Sequence, residues 1–185
     1  WYICANDTIK KLHGIGVAVA DRPEGPYSDP LKKPLVPGAF GYIDPSVFID
    51  DDGQAYLFWG NNGLWYAKLN KDMISLGSEV IPVKELNDSI AFGPLVMKRD
   101  YQLNKRVLKT NYEEGPWVFK RNGLYYMVYA AGGVPEHMAY STAKSIHGPW
   151  KYQGRIMNEA ANSFTIHGGS IEYHNRHFMF YHNGA

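Results

Sequence analysis

The stretch Tyr112–Ala131, which reads YEEGPWVFKRNGLYYMVYAA, predicts a β-hairpin. Two apolar and aromatic runs flank the dipeptide Asn122-Gly123. This dipeptide is the strongest short signal for a tight hairpin, because both central residues of a type I′ turn need a positive φ. Glu114 stands at the head of the first run, directly before a Gly-Pro break. We therefore expect its carboxylate at the end of a strand rather than in the middle.

The same design recurs twice more along the chain. Asp44 heads a run that turns at an Asp-Gly pair, and His167 heads a run that turns near Asn175-Arg176. The distance from the head residue to the second turn residue is nine positions in all three cases. Repeats in constant register indicate one supersecondary unit that is used again. Asp44, Glu114 and His167 are therefore predicted to occupy equivalent places in three successive units.

Composition suits many short strands separated by turns, since 15% of the 185 residues are aromatic and the chain has 19 Gly and 11 Pro. The net charge is +1, from 19 Lys and Arg against 18 Asp and Glu. This balance gives no electrostatic reason to expect a nucleic acid or a membrane as partner. Cys4 is alone, which excludes an internal disulfide and a cysteine metal cluster. A lone cysteine does not decide the compartment, because secreted bacterial proteins often lack disulfides; the compartment is left open, with secretion by a bacterium as the expectation.

The order of strand and turn signals predicts an all-β fold built from four-stranded units. Residues 42–82 and 112–156 read as complete units, and residues 164–185 read as the first half of another. The strand-like runs Trp1–Ala5 and Ile15–Ala20 belong to part of an earlier unit. Four-stranded units of roughly 40 to 50 residues, repeated without helices, indicate a β-propeller. We assign residues 1–185 to a single partial domain, in which the long connection Val83–Asn111 is predicted to be a loop over the open face.

In a propeller the first strand of each blade lines the central axis, so the three head residues should meet at one end of the channel. Two carboxylates and a histidine are the equipment of acid–base chemistry, such as hydrolysis of a glycosidic bond. Burial beside Trp117 and a second carboxylate would raise the pKa of Glu114 and suit it to the role of acid. Trp117 is also the predicted wall of the pocket. Alternatively, Asp44 and Glu114 only cap strand starts or bind loop amides, and His167 is a packing residue.

Three motifs resemble those of glycoside hydrolase family 43, the five-bladed β-propeller enzymes that attack arabinose- and xylose-containing plant polysaccharides. They are Ile43–Gly53 (IDPSVFIDDDG), Glu113–Trp117 (EEGPW) and Ser163–Gly169 (SFTIHGG). The resemblance covers essentially the whole chain. It implies a fragment that lacks both ends of the catalytic domain, with part of blade 1, blades 2 and 3, and part of blade 4.

The resemblance implies an inverting mechanism and a role for each matching residue. Glu114 would be the general acid, and Asp44 would tune the pKa of that acid and orient the substrate. Trp117 and His167 would bind substrate, and His167 would also help to hold a hydrated Ca²⁺ ion near the axis; no other cofactor is implied. The family's general base is an Asp at the head of the first blade, which we expect about a dozen positions upstream of the start of this sequence.

The function expected on these grounds is removal of L-arabinofuranosyl or D-xylosyl units from arabinoxylan or xylan. A non-catalytic propeller that binds carbohydrate is the alternative, and a scaffold for protein partners is a third possibility. The motifs do not distinguish arabinose from xylose, exo from endo action, or the oligomeric state.

Overall fold

Antiparallel strands make up nearly all of the regular structure in the part of the chain that this computed structural model describes, which is residues 1–7, 12–38, 40–96 and 108–184. In chain order the strands are β1 (Tyr2–Asp7), β2 (Leu12–Val17), β3 (Ser46–Ile49), β4 (Ala55–Trp59), β5 (Trp65–Lys68), β6 (Ile81–Pro82), β7 (Tyr112–Arg121), β8 (Leu124–Ala131), β9 (His137–Ala143), β10 (Lys151–Met157), β11 (Gly168–Tyr173) and β12 (Arg176–Tyr181). No helix in these ranges is long and apolar enough to cross a membrane.

Each sheet is a simple antiparallel meander. Strands β3-β4-β5-β6 and β7-β8-β9-β10 form two four-stranded sheets, while β1-β2 and β11-β12 form two-stranded sheets. Strand β7 contacts both β3 and β11, so successive sheets follow one another as blades with their first strands side by side. The all-β propeller predicted from the repeated units is confirmed, including the two complete units at 42–82 and 112–156.

The hairpin turns differ from one another more than the constant spacing suggested. Asn122 and Gly123 have φ of 50° and 76°, as a two-residue turn with both residues left-handed requires. The turn between β11 and β12 consists of His174 and Asn175, with φ of 48° and 57°. The turn is therefore near the predicted position, shifted by one residue from the pair Asn175-Arg176. Arg176 begins the next strand because a tight turn needs only two residues.

Strand β7 contains two irregularities in its pairing with β8. Its pairing with β8 shifts between Tyr112 and Glu114, and again between Glu114 and Trp117. A β-bulge adds a residue to one strand and re-aims the side chains around it. Glu114 lies between the two shifts, so the bulged backbone determines where its carboxylate points.

The connection Val83–Asn111 was predicted to be a loop over the open face, but the part that the structure describes contains two helical turns. A 3-10 helix spans Lys84–Asn87 and the short helix α1 spans Ser89–Phe92, while residues 97–107 lie outside the described part of the chain. Asp88 caps α1 by accepting a hydrogen bond of 2.8 Å from the amide of Ile90. Phe92 is fully buried, so this connection contributes to the core. A helix of one turn is too short to produce a visible 3.6-residue period.

The main core lies between the two complete sheets. Large aromatic side chains from both sheets and from α1 pack there, among them Phe58, Tyr66, Phe92, Tyr112 and Tyr129.

A charged contact joins the same two sheets at their other end. Asp50, after β3, accepts hydrogen bonds from Lys120 Nζ at 2.9 Å and from the Tyr125 hydroxyl at 2.6 Å. Near the head residues, the Ser46 hydroxyl donates to the carbonyl of Pro116. Neighbouring blades are therefore fixed at both ends of their first strands, which sets the distance between Asp44 and Glu114.

Candidate active site

The three head residues meet in space. One side-chain atom of each of Asp44, Glu114 and His167 lies within 4.8 Å of the corresponding atoms of the other two. Asp44 precedes β3, Glu114 lies in β7 and His167 precedes β11, so three consecutive blades each supply one group. The structure therefore brings these positions together as predicted, although they are separated by up to 123 residues in sequence.

Glu114 is buried, with 8% of its surface exposed, and both of its carboxylate oxygens are engaged. Oε1 lies 3.1 Å from Nε2 of His167. Oε2 accepts a hydrogen bond from the amide group of Asn61, which follows β4 in the preceding blade. The carboxyl group of Glu136 shares a further hydrogen bond with Glu114. Sequence reasoning did not select Asn61 or Glu136, because neither stands at the head of a repeated unit.

Asp44 adopts an unusual backbone conformation, with φ of 58°. Its amide donates a hydrogen bond of 3.2 Å to the sulfur of Cys4 in β1, and its carboxylate accepts one from the amide of Gly115. Its Oδ2 atom is buried, has no hydrogen-bond partner among the described residues, and lies 3.9 Å from Nε2 of His167. Asp44 therefore connects the first blade, through Cys4, with the centre of the site.

The pKa shifts of the head residues differ in direction. Burial, with the charge of Glu114 as a smaller cause, raises the pKa of Asp44 to about 6 against the opposing effects of His167 and Gly115. Burial also acts to raise the pKa of Glu114, but hydrogen bonds from His167, Asn61 and Glu136 outweigh it and the pKa is lowered. The raised pKa predicted for Glu114 was therefore wrong, because the sequence did not reveal these three donors.

The two other titratable groups in contact with Glu114 retain their protons more strongly than usual. Burial acts to lower the pKa of His167, but the hydrogen bond to Glu114 and the negative charges of Asp44 and Glu114 raise it. Burial raises the pKa of Glu136 to about 9, and the charge of Glu114 adds to this effect. The resting site therefore has an ionised Glu114 with two proton-bearing neighbours.

Gly115 allows the ring of His167 to approach the strand closely. Its φ is 62°, in the left-handed region, and a Cβ atom at this position would lie 3.1 Å from the imidazole carbons. An L-residue would be strained in this conformation and would also displace the ring. The glycine of the Gly-Pro break therefore allows the imidazole of His167, from the next blade, to pack against β7.

Trp117 lies at the junction of two blades. Its ring faces Gly169 in β11, where an added Cβ atom would lie 3.4 Å from it. Its Nε1 atom is buried and without a hydrogen-bond partner among the described residues. The role of Trp117 as a wall of the substrate pocket stays a prediction.

The residues at the centre of the site fit a hydrated calcium ion. Calcium takes oxygen ligands at about 2.3 to 2.6 Å, so an imidazole suits it through an intervening water rather than directly. Oδ2 of Asp44 is buried and has no hydrogen-bond partner among the described residues, so one carboxylate oxygen is available to such an ion. Nε2 of His167 lies 3.9 Å from this oxygen but also 3.1 Å from Oε1 of Glu114, so it could bind a water of the ion only by giving up its contact with Glu114.

Comparison with known proteins finds relatives that are named as xylosidases and arabinosidases. It is 33% identical to "Xylosidase/arabinosidase 43A" of Humicola insolens, over 91% of this chain and 58% of that protein. It is 32% identical to a β-xylosidase of Xylanibacter ruminicola, over 91% of this chain and 56% of that protein. The chain thus spans a little over half the length of these relatives.

Solved structures show the same fold. A GH43_1 enzyme of Xanthomonas citri, complexed with xylotriose, superimposes with a TM-score of 0.76 at 26% identity, covering 98% of this chain and 58% of that one. A β-xylosidase/α-arabinofuranosidase from a compost metagenome, described as a calcium-free form with xylotriose, gives 0.77 at 25% identity and covers 98% and 60%. These neighbours confirm the five-bladed β-propeller. The profile of the glycosyl hydrolases of family 43 matches residues 1–185, and the chain belongs to that family.

Proposed function

We propose that the protein is an inverting glycoside hydrolase that removes L-arabinofuranosyl or D-xylosyl units from arabinoxylan or xylan. The observation that supports this most directly is the convergence of Asp44, Glu114 and His167 from three blades within 4.8 Å. Relatives named as xylosidase, arabinosidase and arabinoxylan arabinofuranohydrolase support the substrate class. A further relative, named as a β-D-galactofuranosidase, belongs to the same chemical class of furanoside hydrolases.

In this proposal Glu114 protonates the glycosidic oxygen and Asp44 orients the sugar. Inverting glycosidases hold the acid and the base about 6.5 to 9.5 Å apart, because a water molecule must fit between the base and the sugar. An oxygen of Asp44 lies within 4.8 Å of an oxygen of Glu114, which leaves too little room. Asp44 is therefore assigned to orientation and to the tuning of Glu114, and the base is a third carboxylate, not Asp44.

The resting site has Glu114 ionised, so the acid must acquire a proton before bond cleavage. His167 is the titratable group nearest its Oε1, at 3.1 Å, and against the effect of burial the hydrogen bond to Glu114 and the charges of Asp44 and Glu114 raise the pKa of its imidazole. A sugar entering between the two groups would desolvate Glu114 further, which favours its neutral form. We propose that His167 also binds substrate and holds a hydrated calcium ion, whose positive charge would help to orient the sugar hydroxyl groups.

The first experiment separates an enzyme from a carbohydrate-binding protein. Unactivated substrates, such as methyl arabinofuranosides and xylobiose, are given to the full-length protein and to its Glu114→Gln variant, and binding of xylotriose is measured by calorimetry. We expect the variant to lose the rate on unactivated substrates by at least about a hundredfold and to retain its affinity. Binding without turnover by the unmodified protein would favour the non-catalytic alternative instead.

The second experiment tests the mechanism through its stereochemistry. Proton NMR during turnover shows which anomer of the released sugar forms first. Inversion is expected if the base is a third, more distant carboxylate. Retention would mean that the closely spaced Asp44 and Glu114 act as nucleophile and acid, which would overturn the assignment of Asp44.

A further inference from the structure

Glu136 is a buried acid beside the site that the roles assigned so far do not use. It immediately precedes β9, and only 2% of its surface is exposed. Its Oε2 atom accepts a hydrogen bond of 3.0 Å from the amide of Ile166. The same carboxyl group shares a hydrogen bond with the carboxyl group of Glu114. Buried carboxyl groups are rare unless they are paired, so this arrangement calls for an explanation.

The position of the proton follows from the hydrogen-bond pattern. Two carboxyl groups can share a hydrogen bond only when one of them carries a proton. Glu114 already faces His167 with Oε1 and accepts from Asn61 with Oε2, which favours its ionised form. Burial and the neighbouring charges of Glu114 and Glu113 raise the pKa of Glu136 to about 9. Glu136 is therefore the donor and Glu114 the acceptor.

Glu136 also reaches the next blade. Ile166, whose amide binds Oε2, immediately precedes His167 in the chain. The backbone amide of Glu136 donates a second bond, of 3.0 Å, to the carbonyl of Phe164. Glu136 thus connects Glu114 in β7 with the segment that immediately precedes His167. The direct contact between those two catalytic-site groups, at 3.1 Å, spans the same gap.

We propose that Glu136 is a positioning residue, whose neutral carboxylic acid donates to Glu114 and accepts from the backbone of Ile166, and so fixes the general acid relative to His167. This inference rests on the proposed role of Glu114. A displacement of about 1 Å at a catalytic group can cost about a hundredfold in rate. Glu136 never touches the substrate in this assignment, and its effect is transmitted entirely through Glu114.

The test compares two variants of Glu136 in the full-length protein. Glu136→Gln keeps a donor for Glu114 and an acceptor for Ile166, whereas Glu136→Asp is one methylene too short to reach both. Each is assayed on two glycosides of the same sugar, a dinitrophenyl glycoside and a methyl glycoside or xylobiose. The dinitrophenyl leaving group departs without help from an acid, while the other two need protonation.

Glu136→Asp should lower kcat on the methyl glycoside or xylobiose by about tenfold to a hundredfold, with little change in KM. Its kcat on the dinitrophenyl glycoside should change little. Glu136→Gln should recover most of that loss. The inference is overturned if Glu136→Asp slows both substrates equally, which indicates a merely structural role, or if Glu136→Gln is as defective as Glu136→Asp. If the unmodified protein hydrolyses neither substrate, the proposed function itself fails, so the two failures are distinguishable.

Discussion

Replacing Gly115 by alanine should separate the cost of a strained backbone from the cost of a displaced histidine. Gly115 has φ of 62°, and its new Cβ atom would lie 3.1 Å from Cγ and Cδ2 of His167. Carbon atoms at optimal separation are about 3.5 to 4.0 Å apart, so the ring must move by about 0.4 Å or more. A shift of that size along the contact would lengthen the 3.1 Å distance from His167 to Glu114 to about the limit of a useful hydrogen bond.

Gly123 provides the matched control. Its φ is 76°, and a Cβ atom there would have nothing within 4 Å. Both substitutions should therefore lower the free energy of unfolding by about 1 to 2 kcal/mol, the cost of a left-handed alanine, as measured by urea unfolding. Only Gly115→Ala should also lower kcat on an aryl glycoside, by about tenfold to a hundredfold. A full rate for Gly115→Ala, or an equal loss of rate in Gly123→Ala, would refute the argument that Gly115 seats His167.

Four further predictions concern single features of the site and the core. Asn61→Ala removes the donor to Oε2 of Glu114 and should lower kcat about tenfold with little change in KM, by steady-state kinetics. The folded protein keeps on Glu136 a proton that the unfolded chain releases above its ordinary pKa of 4.5, so stability should fall as pH rises from 4.5 towards about 9. Urea unfolding across that pH range should give a flatter curve for Glu136→Gln, which cannot ionise. Removal of calcium by EDTA should lower kcat reversibly in the unmodified protein and have little further effect on His167→Ala. Leu57→Ala, at a fully buried position in β4, should cost about 2 to 5 kcal/mol of stability by thermal unfolding.

The convergence of the head residues was predictable because strand, turn and head residue recur as a unit, and units of a propeller share an axis. The spacing of nine positions was nevertheless a weaker argument than it looked. The turn at His174 and Asn175 comes one residue early, and β7 contains two register shifts that the other first strands lack in the described pairing. Equal spacing in sequence therefore did not give the three head residues equal positions in the strand pairing. The heads still meet because each lies at the same end of its sheet.

What the sequence did not reveal was the set of groups around Glu114. Asn61 lies in a turn after β4, and Glu136 lies in the connection before β9, so neither belongs to a strand pattern. Their partners become visible only when three blades are in place. The direction of the Glu114 pKa shift depended on these partners, because burial alone would have raised it. The one-turn helix α1 was not predicted because four residues are too few to show a 3.6-residue period.

Each hydrogen-bond partner of the Glu114 carboxylate belongs to a different part of the ring: Asn61 to the blade before, Glu136 to its own blade and His167 to the blade after. One four-stranded sheet on its own would leave Glu114 with Glu136 but without Asn61 and His167. The carboxylate therefore acquires its full set of partners only when three neighbouring blades are packed together.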